Sequence, residues 1–289
     1  MLSINPHDLS TVQLQAYLQG AVAPRPIAFA STLNAKGQPN LSPFSFFNVF
    51  SANPPILIFS PARRVRDNSI KHTLSNVQEI QEVVINVVDY AMVQQMSLAS
   101  TEYAEGVNEF VKAGFTPIPS MLVKPFRVQE APVQFECKVN QVIALGNHGG
   151  AGNLVICEVV KIHINEAVLD EKGAIIQEKL DLVARLGGNW YSRANAGLFE
   201  VPKPLTTLGI GVDAIPDFVK KSGLFSGNDL GVLANIDTLP TPEEVAIFVK
   251  QNFELKAVLS ADEPIKQLQL ALRYVQINDV ESAWKVLLA

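Results

Sequence analysis

The chain has 289 residues, of which 48% are hydrophobic and 18% charged, with a net charge of -5. That balance supplies core material for one large domain or two smaller ones and excludes a disordered chain. There is no broad basic field, so nucleic acid is excluded as the main partner. The opening MLSINPHDLS lacks a basic stretch followed by an apolar one, so no signal peptide is expected. Residues 37–62 carry no charge, but Pro39, Pro43, Pro54, Pro55 and Pro61 break them, so no membrane span is expected there either. Cys137 and Cys157 fall in apolar strand-like runs and are read as buried free thiols in a reducing, cytoplasmic setting.

Residues 10–20 predict a short helix that Ser10 or Thr11 caps and Gly20 closes. Residues 27–33 form an apolar run of strand length. Asn34, Ala35, Lys36 and Gly37 supply turn chemistry, and residues 41–50 resume as a second strand. Ser42, Pro43, Ser45 and Asn48 are mixed among the aromatics of that second run. Pro43 removes a ladder donor and so predicts an edge or a bulge. The pattern suits a backbone that approaches a flat polar ligand; the plainer alternative is an edge strand with incidental serines.

A turn at Asn53, Pro54 and Pro55 leads to a brief strand over 56–59 and then a basic loop over 60–68. Ile70, Leu74, Val77 and Ile80 would share one face of a helix over 69–81. The β-branched run 83–88 predicts a strand. Residues 90–100 predict a helix with Met92, Val93 and Met96 inward, and 109–114 a short amphipathic turn. Residues 116–120 are an extended connector. Residues 133–139 alternate with period 2, which places Gln134, Glu136 and Lys138 on a wet face. A glycine-rich turn around His148 follows, then a strand over 154–164, a small hairpin over 169–176, and Leu186, Gly187 and Gly188 closing this half. Pro202 and Pro204 mark a boundary, giving domains 1–204 and 205–289. Beyond it, 216–222, 227–235, 241–253, 264–275 and 280–288 read as helices. Thr241 with Glu244 forms a capping box, and Pro242 suits the first helical position. Strands followed by helices predict a β-rich domain with a helical extension; a closed barrel is favoured and a sandwich is the other possibility.

Arg63, Arg64, Arg66 and Lys71 cluster before and at a helix start, with Ser69 and Thr73 adding hydroxyls. Free N–H groups at a helix start and arginine forks both suit a phosphate, and a solvated basic loop is the bland alternative. GNHGGAG at 146–152 lacks the strand–GxGxxG–helix context and is read as a flexible turn. His7, His72, His148 and His163 stand in no metal spacing, and His163 is read as structural. No GxSxG or redox-cysteine motif occurs.

These pieces resemble an established family. PRPIAFAST at 24–32, NLSPFSFFN at 40–48, NPP at 53–55, IKHTLSN at 70–76, FVKAGFTPIPS at 110–120, APVQFECKV at 131–139, ICEVVKIHI at 156–164 and ARLGGNWY at 184–191 are similar, in that order, to blocks of the flavin reductase-like, FMN-binding split-barrel family. The resemblance covers roughly residues 10–200 and not the helical tail. It implies a mainly β fold: a six-stranded Greek-key split barrel with flanking helices and a C-terminal helical extension. It also implies a homodimer with FMN near the subunit interface. The backbone of Ser45, Phe46, Phe47 and Asn48 would run beside the flavin ring. Arg63, Ser69, Lys71, His72 and Thr73 would hold the phosphate, with Arg25 and Ser31 near the ribityl chain or phosphate. The family more often has Lys-Asp-Thr where this chain has Lys71, His72 and Thr73.

The activity implied is an NAD(P)H:flavin oxidoreductase, with hydride passing from NADH or NADPH to flavin N5 and no side-chain acid or base required. A flavin-dependent monooxygenase or another electron acceptor would receive the electrons. Many family members carry a histidine shortly before the strand over 154–164, where this chain has residues 149–153 and a shifted His148. The rival readings are an FMN-binding electron carrier without a pyridine-nucleotide site and a relative that has lost FMN.

Overall fold

The computed structural model describes residues 1–201 and 208–289. It divides the chain into two compact units, Met1–Phe199 and Glu200–Ala289. The expected boundary prolines, Pro202 and Pro204, lie outside the described residues.

The first unit is built on a seven-stranded antiparallel sheet in the order β2-β1-β5-β8-β9-β4-β3. Its strands are β1 (Ala28–Leu33), β2 (Pro39–Phe44), β3 (Phe47–Ala52), β4 (Pro55–Phe59) and β5 (Glu82–Asn86). Two two-residue strands, β6 (Pro117–Ile118) and β7 (Arg127–Val128), pair with each other outside it. The long hairpin β8 (Val133–Ala144) and β9 (Asn153–Ile164) completes it. Every residue of β1 is buried. Phe29 packs in a cluster with Leu41, Met96, Phe110 and Phe115, while Ala28 and Ala30 share the other cluster with Phe44, Phe59, Leu74 and Ile85. A strand covered on both faces has no reason to alternate, which explains its unbroken apolar run.

The single strand expected over 41–50 is two strands. The β1 pairing ends at Ala28 opposite Phe44. The chain leaves the sheet at Ser45 and Phe46, and β3 then pairs with β4 at the other end of the strand order. Two residues span at most about 7 Å. The two terminal strands are therefore brought together, and the sheet curls on itself into a split-barrel-like core. This break raises the expected six strands to seven. With helices in both units, the protein is mixed rather than mainly β.

Helix α1 (Thr11–Ala21) starts at a capping box of Ser10 and Gln13. Helix α2 (His72–Glu79) is shorter than the expected 69–81, because Lys71 and Ile80 at its two ends are extended, and Ser69 is held in the loop, its N–H donating to Asp67 and its carbonyl accepting from Arg64 N–H. Helix α3 (Val93–Leu98) carries the buried Met96, and α4 (Glu109–Ala113) ends at Gly114 with φ 73°. Helix α5 (Gln177–Leu180) precedes the hairpin of β10 (Val183–Arg185) and β11 (Tyr191–Arg193). Leu186, Gly187 and Gly188 are the turn of that hairpin rather than the end of the half, with Leu186 N–H donating to the Trp190 carbonyl.

The face of β8 expected to be wet is only partly so. Lys138 is exposed, but Gln134 and Glu136 are buried. Glu136 accepts from the backbone N–H groups of Met121 and Leu122 at 2.8 and 2.6 Å and from His163 Nε2 at 2.7 Å. The loop before β7 thus closes over this face, and alternation alone could not reveal it. His163 is structural, as expected. Both cysteines are free and buried.

The second unit holds α6 (Asp217–Lys220), α7 (Gly227–Ala234), α8 (Pro242–Gln251), α9 (Phe253–Ser260), α10 (Pro264–Gln276) and α11 (Val280–Leu287). Thr241 and Glu244 form the expected capping box. The helix expected over 241–253 stops at Gln251, because the Asn252 side chain accepts from Leu255 N–H and starts α9. Trp284 is fully buried and donates its indole N–H to the Leu233 carbonyl. Among the described residues, no helix is long and apolar enough to cross a membrane and no His/Cys/Asp/Glu group is arranged to hold a metal.

Candidate functional site

A cleft of about 400 Å³ opens where the β2–β3 break meets the basic loop. Pro43, Phe44, Ser45 and Phe46 line one side; Arg63, Arg64, Arg66 and Lys71 line the other. The loop keeps its shape through its own hydrogen bonds. Arg63 Nε donates to Asn68 Oδ1 at 2.7 Å and its Nη2 to the Asn68 carbonyl at 2.8 Å. Asn68 adopts φ 59°, a left-handed turn that asparagine tolerates. Arg64 donates to Ser69 Oγ at 3.0 Å and to the Ile70 carbonyl at 2.9 Å.

The glycine-rich turn after β8, expected to be flexible, is docked on this loop. Arg63 N–H donates to the Ala151 carbonyl, and Gly150 N–H returns a bond to the Arg63 carbonyl. A Cβ on Gly149 would meet the carbonyl oxygens of Arg64 and Val65 at 2.9 Å, so only glycine allows this approach. The glycines thus shape the anion side of the cleft, while His148 stays exposed beyond it.

Lys71 differs from its neighbours. Its Nζ lies 5.1 Å from the Phe44 ring centre, and it makes no hydrogen bond or ion pair among the described residues. Burial, and then the nearby Arg64, hold its ammonium below the ordinary value. Glu102 reaches in from the loop after α3, bonding Arg64 Nε at 2.9 Å and also pairing with Arg66. Four cations therefore face the carboxylates of Asp67 and Glu102, and Lys71 alone of the four has no side-chain hydrogen bond or ion pair among the described residues, Glu102 acting on it only at a distance. Such a group favours an anion.

On the other wall, the backbone N–H groups of Ser45 and Phe46 donate to no protein acceptor among the described residues, while the Phe46 carbonyl accepts from Ser60 N–H. Leaving the ladder between β2 and β3 is what frees these donors.

The structure brings Ser45, Phe46, Arg63 and Lys71 into this one cleft. The other expected residues are placed differently. Arg25 is buried, and its guanidinium donates to the carbonyls of Gln19, Val22 and Leu186, reaching Ser45 Oγ only at 3.5 Å. It ties α1 and the β10–β11 turn together. Ser31 is fully buried in the middle of β1 with no partner for its hydroxyl and does not line the cleft. Phe47 packs on the barrel core, and Asn48 is exposed with its side chain accepting from Val49 N–H. Ser69 Oγ is engaged by Asp67 and Arg64. His72 and Thr73 line a small neighbouring cavity beside Lys71, where the Thr73 hydroxyl donates to Asn40 Oδ1 at 2.7 Å.

Sequence reasoning missed Gln15, Gln19, Ser60 and Glu102, which also line the cleft. Gln15 and Gln19 stand four residues apart on α1 and so share a face, a signal that was available. Glu102 had none.

A family model described as "Flavin reductase like domain" matches residues 21–181, more than half of the chain and wholly inside the first unit. An uncharacterized protein of Halalkalibacterium halodurans is 38% identical over 194 residues, covering 66% of this chain and 92% of that one. Among solved structures, nitrilotriacetate monooxygenase component B from Bacillus cereus is 32% identical with a TM-score of 0.65, covering 70% of this chain and 98% of that one. Pseudomonas fluorescens 2-nitrobenzoate 2-nitroreductase NbaA is 27% identical with a TM-score of 0.64, covering 73% and 100%. With the curled seven-stranded sheet and its cationic cleft already described, these matches give one conclusion: the chain belongs to the flavin reductase-like domain family.

Proposed function

We propose that this protein binds FMN in the cleft at Lys71 and works as an NAD(P)H:flavin oxidoreductase. The observation that carries the reading is Lys71, a partly buried ammonium without a partner, set across one cleft from the free N–H groups of Ser45 and Phe46. Lys71, with Arg63 and Arg64, suits a phosphate monoester, and Ser45 and Phe46 suit the polar edge of a flat ring. The residues therefore fit both ends of the nucleotide. FMN held there supplies the hydride-accepting ring, and NADH or NADPH is the donor. The chain's own residues bind and orient; the cleft requires no side-chain acid or base.

This narrows the expected ligand set. Ser45, Phe46, Arg63 and Lys71 act directly, whereas Arg25, Ser69 and Thr73 support the walls. The structural neighbour named as a monooxygenase component suggests that reduced flavin serves a monooxygenase partner. Val49 and Phe50 on the terminal strand β3 are each 63% exposed, which favours a homodimer that covers them.

A second reading, an FMN electron carrier without a pyridine-nucleotide site, is favoured by one observation. The stretch where family members carry a histidine is here docked on the basic loop, and His148 is exposed and does not line the cleft. Anaerobic mixing of the FMN-loaded protein with NADH or NADPH decides between the two. Bleaching of the flavin absorbance is expected for the reductase, and an unchanged spectrum selects the carrier. Failure of the purified chain to take up FMN removes both.

A further inference from the structure

The cleft at Lys71 borders a second groove of about 470 Å³, and Pro43 and Ser45 line both. This groove has its own cation. Arg185 ends β10 opposite Tyr191 of β11, and its guanidinium carbon lies 4.6 Å from the Tyr191 ring centre. Contact with a ring face holds a guanidinium in place without using its N–H donors, and Nε and Nη2 of Arg185 donate to nothing among the described residues. The side chain makes one long hydrogen bond, Nη1 to the Trp190 carbonyl at 3.4 Å. Among the described residues, no carboxylate lies within 4.0 Å of it.

The neighbouring Arg25 does not answer the same ligand, because its guanidinium is committed to three backbone carbonyls. Its charge still adds to the field: after burial, Arg185 is what holds Arg25 below its ordinary value. One free fork in a groove of this size matches one carboxylate. A diphosphate would call for more than one cation. Ile27 and Pro43 offer carbon surface on the wall, and Gln94 and Asn189 offer amides.

We infer that this groove is a second binding site that takes a small organic carboxylate, with the oxyanion on Arg185 and the carbon body against Pro43, beside Ser45. The inference rests on the proposed flavin reading only for its consequence, namely that such a ligand lies next to the ring end of the flavin. Binding of the carboxylate itself does not depend on it.

The test is a ligand-observed NMR titration of the full-length chain with benzoate and with its neutral isostere benzamide, with and without FMN. Benzoate is expected to bind at least about tenfold more tightly than benzamide, because only it makes a charge-assisted fork contact. Arg185→Gln should abolish that preference and Arg185→Lys should keep part of it, with FMN uptake unchanged in both. The lysine variant, the milder change, carries the test if the glutamine variant does not fold. Equal affinity for the two probes, no binding of either, or a preference that survives in Arg185→Gln would overturn the site. A benzoate preference without FMN uptake leaves the site standing and removes the proposed function; FMN uptake without the preference does the reverse.

Discussion

Two polar clusters in the first unit look alike in composition and differ in completeness. Around Glu136, the carboxylate accepts two backbone N–H groups and His163, with Arg127 Nε at 3.9 Å. Around Lys71, three arginines are bonded to their own loop or to Asp67 and Glu102, and the lysine has only the Phe44 ring, with no hydrogen bond or ion pair among the described residues. Buried polar groups in native proteins are paired, so the paired cluster is explained by the fold alone. The unpaired one is the cluster that the proposed ligand would complete. Lack of a partner, rather than charge, separates the proposed binding site from the structural tie.

The sharpest way to break this comparison is to empty the complete cluster. Glu136→Ala would strand the N–H groups of Met121 and Leu122 and should cost about 3 kcal/mol in stability, measured by denaturant unfolding. FMN affinity should not change; a loss of FMN binding at unchanged stability would reverse the assignment. The pH dependence has a definite sign. Burial alone would raise the Glu136 carboxyl, but the two amides and His163 outweigh it and hold the carboxyl below its ordinary 4.5. Its contribution is therefore full above pH 4.5 and fades as pH falls through the lowered value. Glu136→Gln should flatten that part of the acid unfolding profile.

The incomplete cluster should respond in binding instead. Lys71→Ala is expected to weaken FMN about tenfold or more, read by quenching of flavin fluorescence, with little change in unfolding. Unchanged affinity would reject the phosphate assignment. The titration of Lys71 sharpens the point. An anion prefers the charged ammonium, so above about pH 7, where the phosphate is fully ionised, affinity should fall as pH rises through a value below the ordinary 10.5, since burial and Arg64 lower it. Lys71→Arg, which stays protonated, should remove that alkaline fall.

The smallest effect should come from Glu102. Its carboxylate is paired with Arg64 and Arg66 at the cleft wall, so Glu102→Gln should tighten FMN by about twofold in low salt, less in high salt. A weaker affinity in that variant would mean that Glu102 positions the arginines rather than competing for them.

Much was legible in the chain by itself. The apolar run of β1, the turn at Gly37 with φ 77°, the helix cap at Ser10, the capping box at Thr241 and the basic loop all follow from local chemistry, because each depends on neighbours a few residues away. The ordered family blocks carried the barrel and the flavin, and they named Ser45, Phe46, Arg63 and Lys71. What local chemistry could not decide was which side chain answers which. Arg25 and Lys71 are both cations beside the same aromatic stretch, yet one is consumed by carbonyls of α1 and the β10–β11 turn and the other is left free. Glu136 alternates like a surface residue and is buried because a loop folds over it. Pro43 signalled an edge or a bulge, but the break at Ser45 and Phe46 into two strands was not legible, since only pairing with β4 instead of β1 makes it. In each case hydrogen bonds between residues far apart in sequence fixed the outcome, and those exist only once the sheet has curled.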